Sequence, residues 1–391
     1  MKKILLLTDL SSDYNRKLLK GIVHYSKESC LWNFYRLPLY YKELYGAEGV
    51  IKWAKKWGAD AIISQFDEID IHLLTELNIP IIAQNYKERN KQTSNITGDY
   101  FNAGVMAANF FYRKGYRQFA YYDVKKTVWM RERGEGYIST IEKKGGEVIL
   151  YNSSEEEQNE KLEVNHKNLR KWLENLPKPI ALFACDDQHA LHITELCKIS
   201  GIHIPNEISV LGVDNDDLLC NISDPKLSSI ELDVVNGGFL TGELLNSFFN
   251  KKVIPPVDVI IKPISIVTRE STERLVVSNK YVGQIIQYIE KNYAESISVK
   301  TIIDMVPMSR RVLEKTFKKE TGTTIYQYIQ LVRVEKFSRL LITTELSLIE
   351  AARMVGFSDY KNIFRIFQKF KNMSPGQYRK MHFHRGDENS L

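Results

Sequence analysis

Between Ser298 and Arg379 one residue pattern occurs twice, fifty positions apart, and no other feature of the 391-residue chain restricts its architecture as strongly. The matched pairs are Val299 with Ile349, Leu313 with Ile363, Lys315 with Arg365, Phe317 with Phe367, Lys319 with Lys369, Gln327 with Gln377 and Tyr328 with Tyr378. A repeat at fixed offset means two copies of one supersecondary unit. In each copy apolar residues recur at helical spacing, break, and recur again. The breaks are Val306-Pro307-Met308-Ser309 and Val355-Gly356-Phe357-Ser358, each short enough to be a turn. Helix, turn, helix is the unit whose second helix can lie in the major groove of DNA.

The second helix of each copy has two faces. Ser309 stands where it can cap the first of them, and Leu313 and Phe317, four apart, share an inward face. Arg310, Arg311, Glu314, Lys315 and Lys318 are left pointing outward. In the second copy Ile363 and Phe367 turn inward, while Tyr360, Lys361, Asn362, Arg365 and Lys369 look out. Arg, Lys and Asn are the side chains that read guanine and adenine edges or grip phosphate. Arg310, Arg311, Glu314, Lys315, Tyr360, Lys361, Asn362 and Arg365 are therefore the expected contacts to double-stranded DNA. Two solvated basic faces in an ordinary helical bundle would carry the same charge; a doubled turn with a basic second helix each time favours the DNA reader.

Charge is distributed to match. From Asn279 to Leu391 there are 19 Lys plus Arg against 11 Asp plus Glu, a net +8. The whole chain has 54 against 48, so residues 1–278 keep 35 against 37, a net −2. The excess basicity sits on the paired units, as a phosphate-binding module requires, and the remaining residues must serve another purpose. A chain of this length exceeds one ordinary core. Four cysteines (Cys30, Cys185, Cys197 and Cys220) show no CxxC spacing, which points to free thiols in a reducing compartment. The N-terminal apolar run Ile4 to Leu7 is ended by Thr8 and Asp9, too short for a signal peptide or a membrane span. A cytoplasmic protein is expected.

Residues 1–270 alternate strand and helix. Strands are expected at Lys3–Thr8, Phe34–Leu37, Ala61–Ser64, Ile79–Ala83, Gln118–Tyr122, Glu147–Tyr151, Ile180–Ala184 and Ser209–Val213. Helices are expected between them, the longest of the first half at Tyr100–Arg113. Such alternation means parallel, doubly wound sheets, and two such runs mean two lobes. The stretch Ile222 to Arg269 is expected to cross back and complete the first lobe. The fold class is thus an α/β two-lobed domain plus an all-α domain with two helix-turn-helix units. The boundaries expected are 1–270 for the sensor, 271–279 for a linker and 280–391 for the DNA-binding part. A cleft between strand ends is the usual ligand site in such sheets.

The C-terminal residues carry a family resemblance. Met308 to Leu313 with Phe317 to Gly322, then Val355-Gly356-Phe357-Ser358-Asp359, Phe367 and Met373-Ser374-Pro375-Gly376-Gln377-Tyr378-Arg379, resemble the AraC-type transcription regulators. Ile303, Pro307 and Asn372 depart from that pattern, where small or glycine residues are usual. Along residues 1–270, Gly98-Asp99-Tyr100, Arg133 with Gly136-Tyr137, Asp186-Asp187 with Ala190, and Pro205 with Ile208 to Asp214 resemble the effector domain of LacI-type regulators, itself similar to periplasmic sugar-binding proteins. A sensor of that kind followed by an AraC-type reader resembles the xylose operon regulators, and the runs Trp129-Glu132-Arg133 and Gly212 to Leu218 strengthen the likeness. The resemblance implies a sugar effector, D-xylose first, a homodimer, activation of transcription, and RNA polymerase as a further partner.

A polyol offers donors and acceptors at fixed angles, so its site wants carboxylates, a guanidinium fork and an aromatic face. Asp99, Arg133, Asp187 and Asp214 fall at strand or helix ends expected to face the cleft, and Trp129 can stack on a sugar ring. Asp9, Gln65, Gln84 and Asn85 follow first-lobe strands and are secondary choices. Each acid taken singly could instead be a helix cap or a solvated loop residue, Asp187 above all because it precedes a helix. No glycine-rich phosphate loop and no GxSxG elbow occurs, so neither nucleotide chemistry nor a serine hydrolase is indicated. His189 and His192 near Cys185 and Asp187 lack a fourth ligand at a recognised spacing, so no metal is expected. No cofactor is expected either, and a sugar-converting enzyme would need a nucleophile and base that the sequence does not pair.

Overall fold

Runs such as Ala61–Ser64, Ile180–Ala184 and Ile208–Val213 are apolar without alternation, as a strand covered on both faces must be. The computed structural model describes residues 1–29, 31–64, 72–84, 88–123, 127–152, 162–250, 256–357, 359–371 and 373–382, and each of these runs is a buried strand in it. One six-stranded sheet has the order β11-β5-β4-β3-β1-β2, from Val259–Ile261, Ser94–Gly98, Ile81–Ala83, Ala61–Ser64, Lys2–Leu7 and Trp32–Arg36. All its neighbours run parallel. The second has the order β12-β10-β9-β8-β6-β7, from Pro263–Val267, Ser228–Leu232, Ile208–Val213, Ile180–Ala184, Phe119–Asp123 and Val148–Asn152. It is parallel except for β12, which pairs antiparallel with β10. The fold is therefore the expected two-lobed α/β domain, followed by an all-α region.

Two expectations need correction. Ser94–Gly98 had no place among the expected strands, because its sequence SNITG is polar, yet all five residues are buried as β5. Its polar groups are satisfied inside the sheet: Asn95 Nδ2 donates to Asp258 Oδ1 at 2.7 Å and to the Asn90 carbonyl at 2.8 Å. Only the first apolar run after residue 250 completes the first lobe, as β11. The second, β12, returns to the edge of the second sheet. The crossings are tied to one another, since Asp99 N donates to Ile261 O at 2.8 Å and Asp233 N to Lys262 O at 2.9 Å.

Each lobe holds one helix pair at backbone contact. In the first, Gly21 of helix Asp13–Ser29 faces Gly238 of helix Val234–Phe249, and a Cβ on Gly238 would stand 2.0 Å from Leu18 O. In the second, Gly104 of helix Tyr100–Arg113 faces helix Val128–Glu142, and a Cβ there would stand 2.0 Å from Arg133 O. Only glycine allows that approach. The contact matters because these helices carry Tyr14, Asn15, Trp129 and Arg133, all of which line the space between the lobes.

The all-α region explains its own repeat. Helix Ile325–Thr343 serves both units, with Ile325, Tyr328, Ile329 and Val332 in the first core and Val334, Phe337 and Leu341 in the second. Leu313, Phe317, Ile363 and Phe367 are all fully buried, as their spacing required. The paired Phe and Tyr positions form the same edge-on contact twice, Phe317 with Tyr328 at 5.7 Å and Phe367 with Tyr378 at 5.2 Å between centroids. The paired glutamines are helix starts: Thr324 N donates to Gln327 Oε1 at 3.1 Å and Ser374 N to Gln377 Oε1 at 3.0 Å. Ser309 occupies the N-cap position of helix Arg310–Thr321, but its side chain accepts no capping hydrogen bond. Of the three departures from the family pattern, Ile303 packs against the first core and Pro307 is exposed, while Asn372 lies outside the described residues.

The connection is anchored. Ser271 and Thr272 are fully buried, and Ser271 Oγ donates to Val210 O at 2.7 Å. Replacing Gly104 with alanine should separate the Tyr100–Arg113 and Val128–Glu142 helices and cost about 2–3 kcal/mol, read as a lower denaturant midpoint. Gly145→Ala, where nothing lies within 4 Å but φ is 78°, should cost only about 1–2 kcal/mol.

Candidate effector cleft and nucleic-acid interface

In parallel sheets the space beyond the carboxyl ends of the strands is open, and here both lobes turn such ends toward one cleft of about 590 Å³. β9 ends at Val213, and the next two residues, Asp214 and Asn215, have φ of 104° and 48°. Non-glycine residues rarely adopt this backbone. It is held by Asp214 N donating to Ile230 O at 2.9 Å and Asn215 N to Ser229 Oγ at 3.0 Å. The turn presents the Asp214 carboxylate to the cleft before Asp216 caps helix Asp217–Ile222 through Leu219 N at 3.1 Å.

Arg133 comes to meet it from the first turns of Val128–Glu142. Its guanidinium is almost wholly buried, donates through Nη2 to Asp214 Oδ1 at 3.2 Å and through Nη1 to the Cys185 carbonyl, and lies 5.4 Å from the Tyr100 ring centroid. Its Nε has no hydrogen-bond partner among the described residues. Burial drives the Asp214 pKa up to about 6, against the pull of Arg133. Asp186 behaves oppositely: burial alone would raise it, but the ring and backbone N–H of His189 hold it below the usual carboxylate range.

The first lobe supplies the facing wall. Asn15 Nδ2 donates to Asp9 O at 2.7 Å, and Gln84 Nε2 donates to Asn15 Oδ1 at 2.9 Å. Gln84 Oε1 is buried and has no partner among the described residues. Asp9 itself accepts from Ser11 N at 2.9 Å and Ser11 Oγ at 2.6 Å, which lowers its pKa.

Of the five residues first assigned to the cleft, Trp129, Arg133, Asp187 and Asp214 line it and Asp99 does not. Asp99 sits at a crossing between lobes, where its carboxylate accepts from Asn102 Nδ2 at 2.8 and 3.0 Å, because the residue after β5 starts a helix rather than a loop. Asp187 is 1% exposed and turned into the protein. It accepts from Asp216 N at 2.8 Å, so it braces the 214–216 turn, and burial and the nearby Asp214 keep its pKa well above the ordinary value. Asp9 and Gln84 do line the cleft; Gln65 and Asn85 lie outside the described residues. Sequence reasoning missed Tyr14, Asn15, Tyr100 and Asp186. Tyr14 and Asn15 open the helix after the first strand, where the strand-end rule could have found them. Cys185, Asp186 and His189 bring three donor atoms within 4.8 Å, but Asp186 is engaged as a helix cap.

Across the chain, Arg310, Arg311, Glu314 and Lys315 line one shallow concavity beside Lys318 and Thr324. Arg310 Nε donates to Glu314 Oε1 at 3.1 Å, so the acid orients that guanidinium. In the second unit Arg365 is exposed and donates to Asn362 Oδ1 at 3.3 Å, and Tyr360 and Lys361 occupy the first turn of helix Tyr360–Lys371. Arg333 fixes the units to each other: its Nε and Nη2 donate to Tyr293 O at 2.8 Å and Glu295 O at 2.7 Å, and its guanidinium lies 5.5 Å from the Phe357 ring centroid. Gly356, in the second turn, has φ of 84°, and a Cβ there would stand 2.6 Å from Tyr293 O.

Because the folded pKa of Asp214 lies above its unfolded value, its contribution to stability is present below about pH 4 and is lost as pH rises through about 6. Melting temperature measured from pH 4 to 7 should therefore fall less steeply in Asp214→Asn than in the unaltered chain.

Residues 108–272 match a family described as a periplasmic binding protein-like domain, and residues 302–381 match a helix-turn-helix domain. The xylose operon regulatory protein of Haemophilus influenzae is 28% identical over 386 residues, covering 96% of this chain and 98% of its own length. That of Escherichia coli K12 is 27% identical, with 96% of both chains covered. A solved structure of the xylose-binding transcription activator xylR superposes with a TM-score of 0.59 at 25% identity, over 98% of each chain. Both relatives are thus operon regulatory proteins by name. The chain thus carries a periplasmic binding protein-like domain followed by a helix-turn-helix domain, and along almost its whole length it is similar to the xylose operon regulatory proteins.

Proposed function

We propose that this regulator senses a sugar, D-xylose first, in the cleft between its lobes and that occupancy repositions its helix-turn-helix units on DNA. The observation that carries the reading is a pair of buried atoms on residues from opposite walls, Arg133 Nε and Gln84 Oε1, that have no hydrogen-bond partner among the described residues. One is a donor and the other an acceptor, and a sugar hydroxyl is both. Trp129, Arg133 and Asp214 are the second-lobe contacts, with Asn15, Asp9 and Gln84 opposite. Asp99 and Asp187 act on that site from behind, one at the crossing and the other through the 214–216 turn. The relatives' names and the cleft's volume, which suits a monosaccharide, support the choice of sugar.

The DNA-binding part rides on the second lobe. Arg117 Nη2 donates to Lys319 O at 3.2 Å and Glu320 O at 2.7 Å, at the carboxyl end of the first recognition helix. Arg113 pairs with Glu335 at 3.0 Å, and Lys371 Nζ donates to Ile264 O at 3.0 Å. Helix Tyr100–Arg113 thus runs about 21 Å from the cleft wall to this contact. Tyr40, Leu44 and Tyr45, exposed on helix Leu39–Trp57 of the first lobe, are the apolar side chains offered to a second copy in this reading. In a homodimer joined there, lobe closure re-spaces the two pairs of DNA readers; recruitment of RNA polymerase and activation follow from that spacing. The protein works in the cytoplasm, where the DNA is, and no helix among the described residues is long and apolar enough to cross a membrane.

Calorimetric titration with xylose, arabinose, ribose and glucose, followed by binding of operator and random duplexes at several salt concentrations, tests the reading. Xylose should bind in the micromolar to millimolar range and raise operator affinity at least fivefold; indifference to all four sugars overturns it. Arg117→Ala should bind xylose within about twofold of the unaltered chain while losing most of the sugar-dependent gain in operator affinity, and an unchanged gain would remove this contact from the coupling.

A further inference from the structure

A second cavity, of about 300 Å³, lies between the second lobe and helix Ile325–Thr343, away from the cleft. We propose that it is a binding site for a small phosphate-bearing metabolite, distinct from the sugar site, through which a second signal bears on the domain junction. The volume is at the lower end for small-molecule sites.

The charge pattern chooses the ligand class. Lys114 lines the cavity, is 7% exposed, and among the described residues its ammonium donates no hydrogen bond; it rests 5.4 Å from the Phe110 ring centroid. Ser265, on the β12 wall and equally buried, has a hydroxyl with no partner among the described residues. A buried ammonium and a buried hydroxyl left unmet are costly unless something enters to meet them. Three carboxylates face the cavity, but Glu335 is taken by Arg113 and Glu290 accepts from Tyr328 Oη at 3.1 Å. Against Glu273, Glu290 and Glu335 stand five cations, since Arg269, Lys336 and Arg339 join Arg113 and Lys114. The lining therefore carries a net charge of +2.

A phosphate monoester presents three terminal acceptor oxygens and a charge of about −2, so it can meet an ammonium, a guanidinium and a hydroxyl while neutralising the lining, whereas a carboxylate brings a single charge. Glu290 and Glu273 act on the ammonium electrostatically, but an uncharged sugar would leave the net charge of the lining uncompensated. The site is built from both parts of the chain, Lys114 and Ser265 from the second lobe and Lys336 and Arg339 from the joining helix. A ligand there strengthens the junction that Arg113 and Arg117 make, so it should act on DNA binding without touching the sugar.

The full chain, in buffer free of phosphate and sulfate, is melted and titrated with ribose 5-phosphate, inorganic phosphate, ribose and sodium sulfate at matched ionic strength. Ribose 5-phosphate or inorganic phosphate should raise Tm saturably by several degrees, and whichever of the two binds tighter identifies the source of the phosphate. Lys114→Met should weaken that binding at least tenfold and Ser265→Ala about threefold, while Asp214→Asn leaves it unchanged. Asp214→Asn removing xylose binding but not this one separates the two sites. No saturable shift beyond that of sulfate overturns the proposal. So does equal affinity in Ser265→Ala and a cooperatively melting Lys114→Met, or loss of the phosphate response in Asp214→Asn, which would put the ligand in the cleft.

Discussion

The cleft is organised by one buried cation. Arg133 cannot shed its charge, so the protein must surround it with acceptors, and each acceptor fixes a different element. Asp214 brings the strained end of β9, the Cys185 carbonyl brings the end of β8, and the Tyr100 ring brings the start of the helix that leaves the crossing between lobes. Breaking one partner of such a pair costs far more than the pair contributes. The same arrangement leaves Nε without a partner among the described residues and the Asp214 carboxyl with a pKa that burial raises against the pull of Arg133. On the proposed reading, order in the cleft and the donor that would meet a sugar hydroxyl come from the same guanidinium.

The legibility of this architecture in the sequence follows from periodicity. Apolar runs without alternation gave the central strands within a residue or two, because a strand buried on both faces has no polar option. β5 escaped because its buried groups are polar and pair with Asp258, more than 160 positions away, a partner no local window contains. The return of β12 to the second sheet was equally unreadable, since antiparallel edge pairing with β10 depends on the third crossing and not on its own composition. The repeat was legible for the opposite reason: Gln327 with Gln377 and Phe317 with Phe367 keep their roles because each contact is local to one unit or made with the shared helix.

Among the cleft residues, a charged side chain at a strand or helix end led to Arg133, Asp187 and Asp214, which line the cleft, and to Asp99, which does not, while Asp187 is turned into the protein and Asp214 faces the open space. The difference lies in what the backbone does next. After Val213 the chain makes a turn at positive φ that points a carboxylate outward, whereas after Gly98 and Cys185 it enters a helix at once, and acids there serve the helix start or the neighbouring turn. Tyr14, Asn15 and Tyr100 were passed over because aromatic and amide residues at helix starts are usually structural, and only the convergence of two lobes makes them a wall.

The junction between the two parts of the chain decides how a cleft could speak to DNA. The contacts described between them arise from the second lobe: Arg113 and Arg117 at the end of one helix, Ile264 within the core of the second helix-turn-helix unit, and the buried Ser271 and Thr272 that leave no slack. A segment pinned at both ends cannot act as a tether, so in the proposed mechanism the DNA readers would move with that lobe. Closure of the cleft would then be motion of the first lobe against everything else, and a monomer would gain nothing from it at the DNA. The readers could register such motion only if the first lobe were itself held by something outside the chain, which is the physical ground for proposing that two copies work as one.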